Sequence, residues 1–346
     1  MCPCRQPAYH TAFRQLVTRR QLLRGVAASA AALLGQQLAH AGSAAATLPP
    51  SGPIPPRPAQ ADAILFEGSR ALQHAAAQLA FSPRPAGSAG SQACGDYILA
   101  EWVRHGWQVD TQPFTYRGTR CRNVIARRGT GPILIIGAHY DTRFRADNDP
   151  DPTQRNQPYP GANDGASGVA ILLELARVLQ PEQLGRTIWL VGFDAEDNGG
   201  LDGWDWIIGS RYMAERLPMT PQGMLLVDMV GDADLNLYYE RNSTQSMNVG
   251  LWETAAKLGY RTFIPVPRYR ILDDHIPFLE RGIPAANMID FDYPYWHTIS
   301  DTLDKITASS LETVGRTVQA WLGAGAPGLP APRYTRRVFI PRIVRG

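Results

Sequence analysis

The stretch that most constrains the fold is Thr187–Asn198, Thr-Ile-Trp-Leu-Val-Gly-Phe-Asp-Ala-Glu-Asp-Asn. Ile188 to Phe193 carries no charge and mixes β-branched and aromatic residues with one Gly. A short apolar run of this kind, closed by polar residues, reads as a strand buried on both faces. Asp194, Glu196 and Asp197 follow at once. In open α/β sheets, ligands collect outside the carboxyl ends of the strands. Acids packed there repel one another unless a cation or shared protons compensate. Glu196 and Asp197 are therefore expected to face a metal or a proton-transfer site. A single such turn would be read as a solvated acidic loop, but the pattern recurs. Ile133–Ile136 closes on Gly137-Ala138-His139-Tyr140-Asp141, Met224–Val230 reaches Asp228 and Asp232, and Ile283–Ile289 leads into Asp290–Asp301.

Between these strands lie helical patterns. Ala61–Leu79, Gln92–His105 (with Ser91 as a possible cap), Val169–Leu179, a segment ending at Arg216, Ser243–Leu258 and Leu311–Leu322 are read as helices, and Trp107–Tyr116 with Arg122–Arg127 as a strand pair. Alternating strands and helices predict an α/β fold: a mixed, largely parallel, twisted central sheet flanked by helices. Arg143–Pro160 is a polar, Pro-rich loop, and Gly161–Gly168 opens the helix that follows it.

The N-terminus belongs to an address rather than to the fold. Thr18-Arg19-Arg20-Gln21-Leu22-Leu23-Arg24 precedes an uncharged Ala-rich stretch and then Ala39-His40-Ala41, a small-x-small cleavage pattern. This reads as a twin-arginine export signal over residues 1–41, too weakly apolar for a membrane span. The expected location is periplasmic or extracellular. Residues 42–60, rich in Ala, Pro and Ser, read as a flexible lead-in. One catalytic domain is expected over 61–325 and a C-terminal tail over 326–346. The leader holds five arginines and no acids, so the formal net charge of +3 becomes −2 in the mature chain. The apparent basicity leaves with the leader, and nothing argues for nucleic-acid binding or stable membrane insertion. A monomer is expected. Of four cysteines, Cys94 and Cys121 remain after the leader, as one disulfide or as two buried thiols.

The polar residues at the strand exits are His139, Asp141, Asp194, Glu196, Asp197, Asp228, Asp273, Asp274, His275 and His297, with Asp164 at a helix mouth. His74 and His105 lie in helical stretches and read as structural. Imidazole and carboxylate donors without cysteine fit a catalytic zinc. There is no Gly-x-Ser-x-Gly elbow, and Gly161–Gly168 carries Asp164 where a phosphate loop would be anion-friendly.

In order, His139–Asp141, Gly161–Gly168, Ala195–Asp197, Asp228–Gly231, Asp274–Phe278 and His297–Thr302 resemble the motifs of the M28 zinc aminopeptidase clan. Asp273–Pro284, Arg84–Ser91, Gly209–Arg211 and Trp296–Thr298 are similar to its branch of animal-type glutaminyl-peptide cyclotransferases. The resemblance implies zinc on Asp164, Asp197 and His297. It makes Glu196 the general acid/base, with Asp228 and Asp273 a hydrogen-bonded acid pair beside it. It also implies a substrate pocket of Trp296, Tyr293, Asn287 and one of Trp204 or Trp206. Most members carry Glu where Asp197 stands, and Asn287 replaces a pocket His. The implied reaction converts the N-terminal Gln of a peptide or protein to pyroglutamate with release of ammonia, on one zinc ion. The alternative is a two-zinc aminopeptidase in which His139 and Asp228 hold the second ion and Asp164 bridges. A non-catalytic binding module is the third reading.

Overall fold

The computed structural model describes residues 64–331; the twin-arginine segment, the lead-in over 42–60 and the end of the tail lie outside the described residues. The chain runs through α1 (Gly68–Leu79), α2 (Ala89–Arg104), β1 (Gln108–Tyr116), β2 (Thr119–Gly129), β3 (Ile133–His139), α3 (Ala166–Val178) and the short α4 (Pro181–Leu184). It continues through β4 (Thr187–Phe193), α5 (Ile208–Glu215), β5 (Gly223–Asp228), β6 (Leu237–Tyr239) and α6 (Gln245–Lys257). The last elements are β7 (Phe263–Pro267), α7 (Ile276–Glu280), β8 (Ala285–Ile289) and α8 (Ala308–Gly323).

Six strands form one mixed sheet in the order β1-β2-β4-β3-β5-β8. β4, β3, β5 and β8 run parallel, while β2 pairs antiparallel with both β4 and β1. The parallel strands are buried almost end to end. Their alternation still sorts the two faces. Leu134, Ile136, Ile188, Leu190, Leu225 and Val227 share one core with residues of α1, α3 and α8. Ile135, Trp189, Val191, Met224 and Leu226 share another with Met213 of α5 and Phe278 of α7. β1 lies at the edge, largely exposed, and so accommodates Pro113, which has no N–H to give a second neighbour.

The helix caps differ in detail from the sequence reading. α2 starts earlier than Gln92, because the Ser88 hydroxyl, and not Ser91, is the cap; it accepts the Ser91 N–H at 3.0 Å. α1 begins only at Gly68; Ile64 and Leu65 ahead of it are exposed and non-helical. A two-stranded parallel sheet, β6 with β7, has no counterpart in that reading. Cys94 and Cys121 are separate buried thiols.

Because β3, β4, β5 and β8 are parallel, their carboxyl ends share one rim. His139 ends β3, Asp194–Asp197 follow β4, Asp228 ends β5, and the loop after β8 carries His297.

Candidate metal centre and active site

Two clusters of ligand atoms meet at this rim. Asp164, Asp197 and His297 offer one set, and His139, Asp164 and Asp228 another; the atoms of each set lie within 4.8 Å of one another. His297 Nε2 is 2.8 Å from Asp197 Oδ1 and 3.4 Å from Asp164 Oδ2. His139 Nε2 is 3.0 Å from Asp164 Oδ1 and 3.2 Å from Asp228 Oδ1. Asp164 thus faces both imidazoles, one oxygen to each. All five side chains are buried, and among the described residues no Lys or Arg forms an ion pair with Asp164, Asp197 or Asp228. Three carboxylates gathered out of water with only imidazoles for company are the donor set a divalent cation compensates. The oxygen and nitrogen chemistry fits zinc.

Backbone geometry brings these side chains together at some conformational cost. Ala195 (φ 60°), Met229 (φ 45°) and His297 (φ 57°) all sit in the left-handed region that non-Gly residues avoid. They flank or include Glu196, Asp228 and the imidazole itself, the kind of site where a fold holds such conformations. Gly165 is required for a different reason. A Cβ there would come within 2.6 Å of the His139 carbonyl oxygen and imidazole, so any side chain would drive the Asp164 turn off His139.

Hydrogen bonds from outside the two donor sets hold Asp197 and the loop that carries Asp164. The Tyr159 hydroxyl lies 2.7 Å from Asp197 Oδ2, to which it donates, and 3.2 Å from Asp164 Oδ2. Asp301 accepts the N–H groups of Asn163 at 2.8 Å and Asp164 at 3.2 Å, and the Tyr293 hydroxyl donates to it at 2.6 Å. Arg143 donates to the Asp197 carbonyl at 2.6 Å and grips Asp147 through two nitrogens. The fully buried Arg84 donates to the carbonyls of Tyr140, Pro160 and Gly161, anchoring the loop that carries Asp164. Asp141 stands 3.7 Å from His139 Nδ1, beyond hydrogen-bond reach, and instead accepts the Glu196 N–H at 3.1 Å. It shapes the Glu196 turn rather than orienting His139.

Glu196 lies beside the first cluster with its carboxyl pushed well above the usual carboxylate range; burial is the main cause, and Asp197, Asp274 and Asp273 add to it while His139 opposes. Asp273 is raised to about 7, by burial first and then by Asp228. Asp228 is itself raised, mainly by burial, against the pull of His139. Carboxyls this close titrate as one group of acids sharing protons. Asp273 accepts the Asn287 side-chain amide at 2.6 Å and the Asp274 N–H at 2.6 Å.

A cavity of about 240 Å³ opens onto this cluster. Asp164, Glu196, Asp197, Asp228 and Asp273 line it, together with the aromatic rings of Trp206, Trp296 and Phe291. The Trp206 ring stacks on His297 at 6.1 Å between centroids and 12° between planes, and the Arg143 guanidinium lies 4.8 Å from its centre. Gly199 makes this possible, since a Cβ there would meet the Trp206 ring at 2.1 Å.

Three residues expected in the pocket wall are not among those that line it. Trp204 packs edge-on against Tyr116 and Phe144 in a separate apolar cluster with Phe114 and Cys121, which holds its ring away from the cavity. Tyr293 is turned inward to donate to Asp301. Asn287, fully buried on β8, reaches the site only through Asp273. Asp194 is fully buried and accepts the N–H groups of Arg122 and Ala195. His275 hydrogen-bonds to Glu240 at 3.2 Å rather than within its own helix. Tyr159 and Arg143, which bond to Asp197, lie in the 143–160 loop, where no periodicity marks them. Their one signal in the sequence was a large aromatic and an arginine beside the His139 and Gly161 motifs.

A largely parallel sheet whose carboxyl rim gathers His and Asp donors beside a buried Glu has the build of a zinc enzyme's active site. The sequence model for peptidase family M28 matches residues 123–322. Glutaminyl-peptide cyclotransferase from Boiga dendrophila is 25% identical over 286 residues, covering 66% of this chain and 75% of that protein. The crystal structure of Porphyromonas gingivalis glutaminyl cyclase is similar with a TM-score of 0.71 and 34% identity, over 75% of this chain and 99% of that one. A Zn-dependent exopeptidase from Parabacteroides distasonis is similar with a TM-score of 0.70 and 32% identity, over 75% of this chain and 99% of that one. The chain belongs to peptidase family M28, and within it is a glutaminyl cyclase-like zinc enzyme.

Proposed function

We propose that the protein cyclises the N-terminal glutaminyl residue of peptides or proteins to pyroglutamate and releases ammonia. The observation that carries the reading is Glu196: a buried carboxyl with raised proton affinity on the wall of a small cavity, beside Asp164, Asp197 and His297. The likeness to glutaminyl cyclases supports the choice of substrate.

In this reading Asp164, Asp197 and His297 hold one zinc ion. When bound, the ion supplies Lewis acidity toward the side-chain carboxamide of the substrate. Trp206 and Trp296 confine the glutaminyl side chain and keep water from the reacting carbon. Glu196 takes a proton from the α-amino group as its nitrogen attacks the side-chain carbonyl carbon. The C–N bond of the carboxamide then breaks, and Glu196 returns the proton to the departing nitrogen, which leaves as ammonia. A carboxyl lifted toward neutrality serves both transfers better than one near 4. Asp197, Asp274 and Asp273 add to the burial that holds Glu196 in that state. Attack within one residue lowers the entropic cost of bringing the groups together.

The decisive variant is Glu196→Gln. It should retain zinc by metal analysis and lose ammonia release by about 10²–10⁴-fold; undiminished ammonia release would remove Glu196 from the role. A second reading, a two-zinc aminopeptidase, is favoured by one observation: His139, Asp164 and Asp228 form a complete second donor set sharing Asp164 with the first. Two zinc ions per chain with release of free amino acid from a Leu-anilide would select it. One ion, with pyroglutamate formed from a Gln-initiated peptide, would select the cyclase.

A further inference from the structure

Five of the residues that line the cavity are acids, and a single one, Arg270, is a base. Arg270 is exposed and, with Ile271 and Leu272, lines the cavity beside the buried Asp273. Its neighbour Arg268 is matched by Asp292 in an ion pair at 2.5 Å. Arg270 has no such partner among the described residues. Its only side-chain hydrogen bond there runs from Nη1 to the neutral Asn242 Oδ1, at 2.6 Å. Asn242 is itself fixed, donating its side-chain amide to the Ile271 carbonyl at 2.9 Å and its backbone N–H to Glu240. The guanidinium is thus held in place with most of its five donors turned to no protein acceptor.

We infer that Arg270 selects substrates carrying a carboxylate immediately after the glutaminyl residue, supplied either by an acidic side chain at the second position or by the free C-terminus of a dipeptide. The inference rests on the glutamine reading of the site. The acids that line the cavity would repel an anionic substrate, and the exposed Arg270 is the one lining residue that offers an opposing charge, on the solvent side where a peptide's second residue would lie. A guanidinium can meet a carboxylate with two parallel N–H donors, a geometry that a lysine or an amide does not reproduce. Removing the charge leaves only repulsion, so the preference should invert rather than merely fade.

The test compares kcat/KM for Gln-Glu-NH2 with the near-isosteric Gln-Gln-NH2, and for Gln-Ala-OH with Gln-Ala-NH2. At low ionic strength the wild type should favour the anionic member of at least one pair by about 3–10-fold, the size of one charge-assisted hydrogen bond at a partly exposed site. Added salt to about 0.5 M should bring that ratio toward one. Arg270→Gln should drop it below one, and Arg270→Lys should keep part of it. A shift in the first pair assigns the carboxylate to the second side chain; a shift in the second pair assigns it to the C-terminus. If neither ratio differs between wild type and Arg270→Gln, the inference is wrong. If only Leu-initiated peptides turn over, the glutamine reading falls separately, and the ratio for Leu-Glu-NH2 against Leu-Gln-NH2 decides Arg270 on its own.

Discussion

Glu240 should be one of the acids on which stability depends most steeply, although it touches no donor of either metal set. Its carboxylate accepts the N–H groups of Asn242, Ser243 and Ile271 at 2.7–3.0 Å, the Ser243 hydroxyl at 2.8 Å and His275 Nε2 at 3.2 Å. These bonds tie the end of β6 to the 270–275 segment that bears Arg270 and Asp273. Burial alone would raise this carboxyl. His275, followed by the Asn242 and Ile271 N–H groups, reverses that and holds it at about 2, against an ordinary 4.5. At ~1.4 kcal/mol per pKa unit this gap corresponds to ~3 kcal/mol, or ~2–3 after allowance for screening on the water-facing side of the cluster. Glu240→Gln preserves shape but points an amide NH2 into a ring of donors, so the folded state should lose that amount at pH 7. The group binds protons more weakly folded than unfolded, so its stabilisation is present above about pH 4.5 and fades as pH falls toward 2. Urea unfolding followed by tryptophan fluorescence at pH 7, 5, 4 and 3.5 measures both effects. The gap between wild type and variant should be ~2–3 kcal/mol at pH 7 and should close below pH 4.5 by up to ~1.4 kcal/mol per unit. A gap under ~0.5 kcal/mol at pH 7, or one that stays flat down to pH 3.5 with unchanged m-values, would refute this account.

Tyr159→Phe removes the hydroxyl shared by Asp197 and Asp164; zinc affinity by chelator competition should fall about 10–100-fold, and an unchanged affinity would show that the phenol merely fills space. Replacing both Arg19 and Arg20 by Lys should leave uncleaved precursor in the cytoplasmic fraction; normal processing of that variant would dismiss export by the twin-arginine route.

The parallel strands were legible because each is a burst of apolar residues cut off by an acid or histidine, and burial on both faces demands that composition. Their shared direction then placed His139, Asp197 and Asp228 on one rim without any knowledge of contacts. Asp164 and His297 came from ordered motifs, since loop residues carry no periodicity. That same lack of periodicity hid Tyr159 and Arg143. β6 and β7 are three and five residues long, too short for an alternation to register. Trp204 and Trp206 could not be separated because they stand two residues apart and the partners that sort them, Tyr116 and Phe144 for one and His297 for the other, lie far away in the chain. Glu240 stood as an unremarked acid before Arg241; its meaning lies in Ile271 and His275, more than thirty residues away.

Asp301 has a consequence for the order in which the molecule can come together. Its carboxylate clasps the backbone of Asn163 and Asp164, 138 and 137 residues earlier, and its loop brings His297 alongside. During synthesis, a chain halted between residues 197 and 297 already owns Asp164 and Asp197 but lacks both the imidazole and the carboxylate that clasps the Asp164 backbone. The set of Asp164, Asp197 and His297 is therefore finished only once residue 301 has emerged, and a product terminated before it is left without that seat.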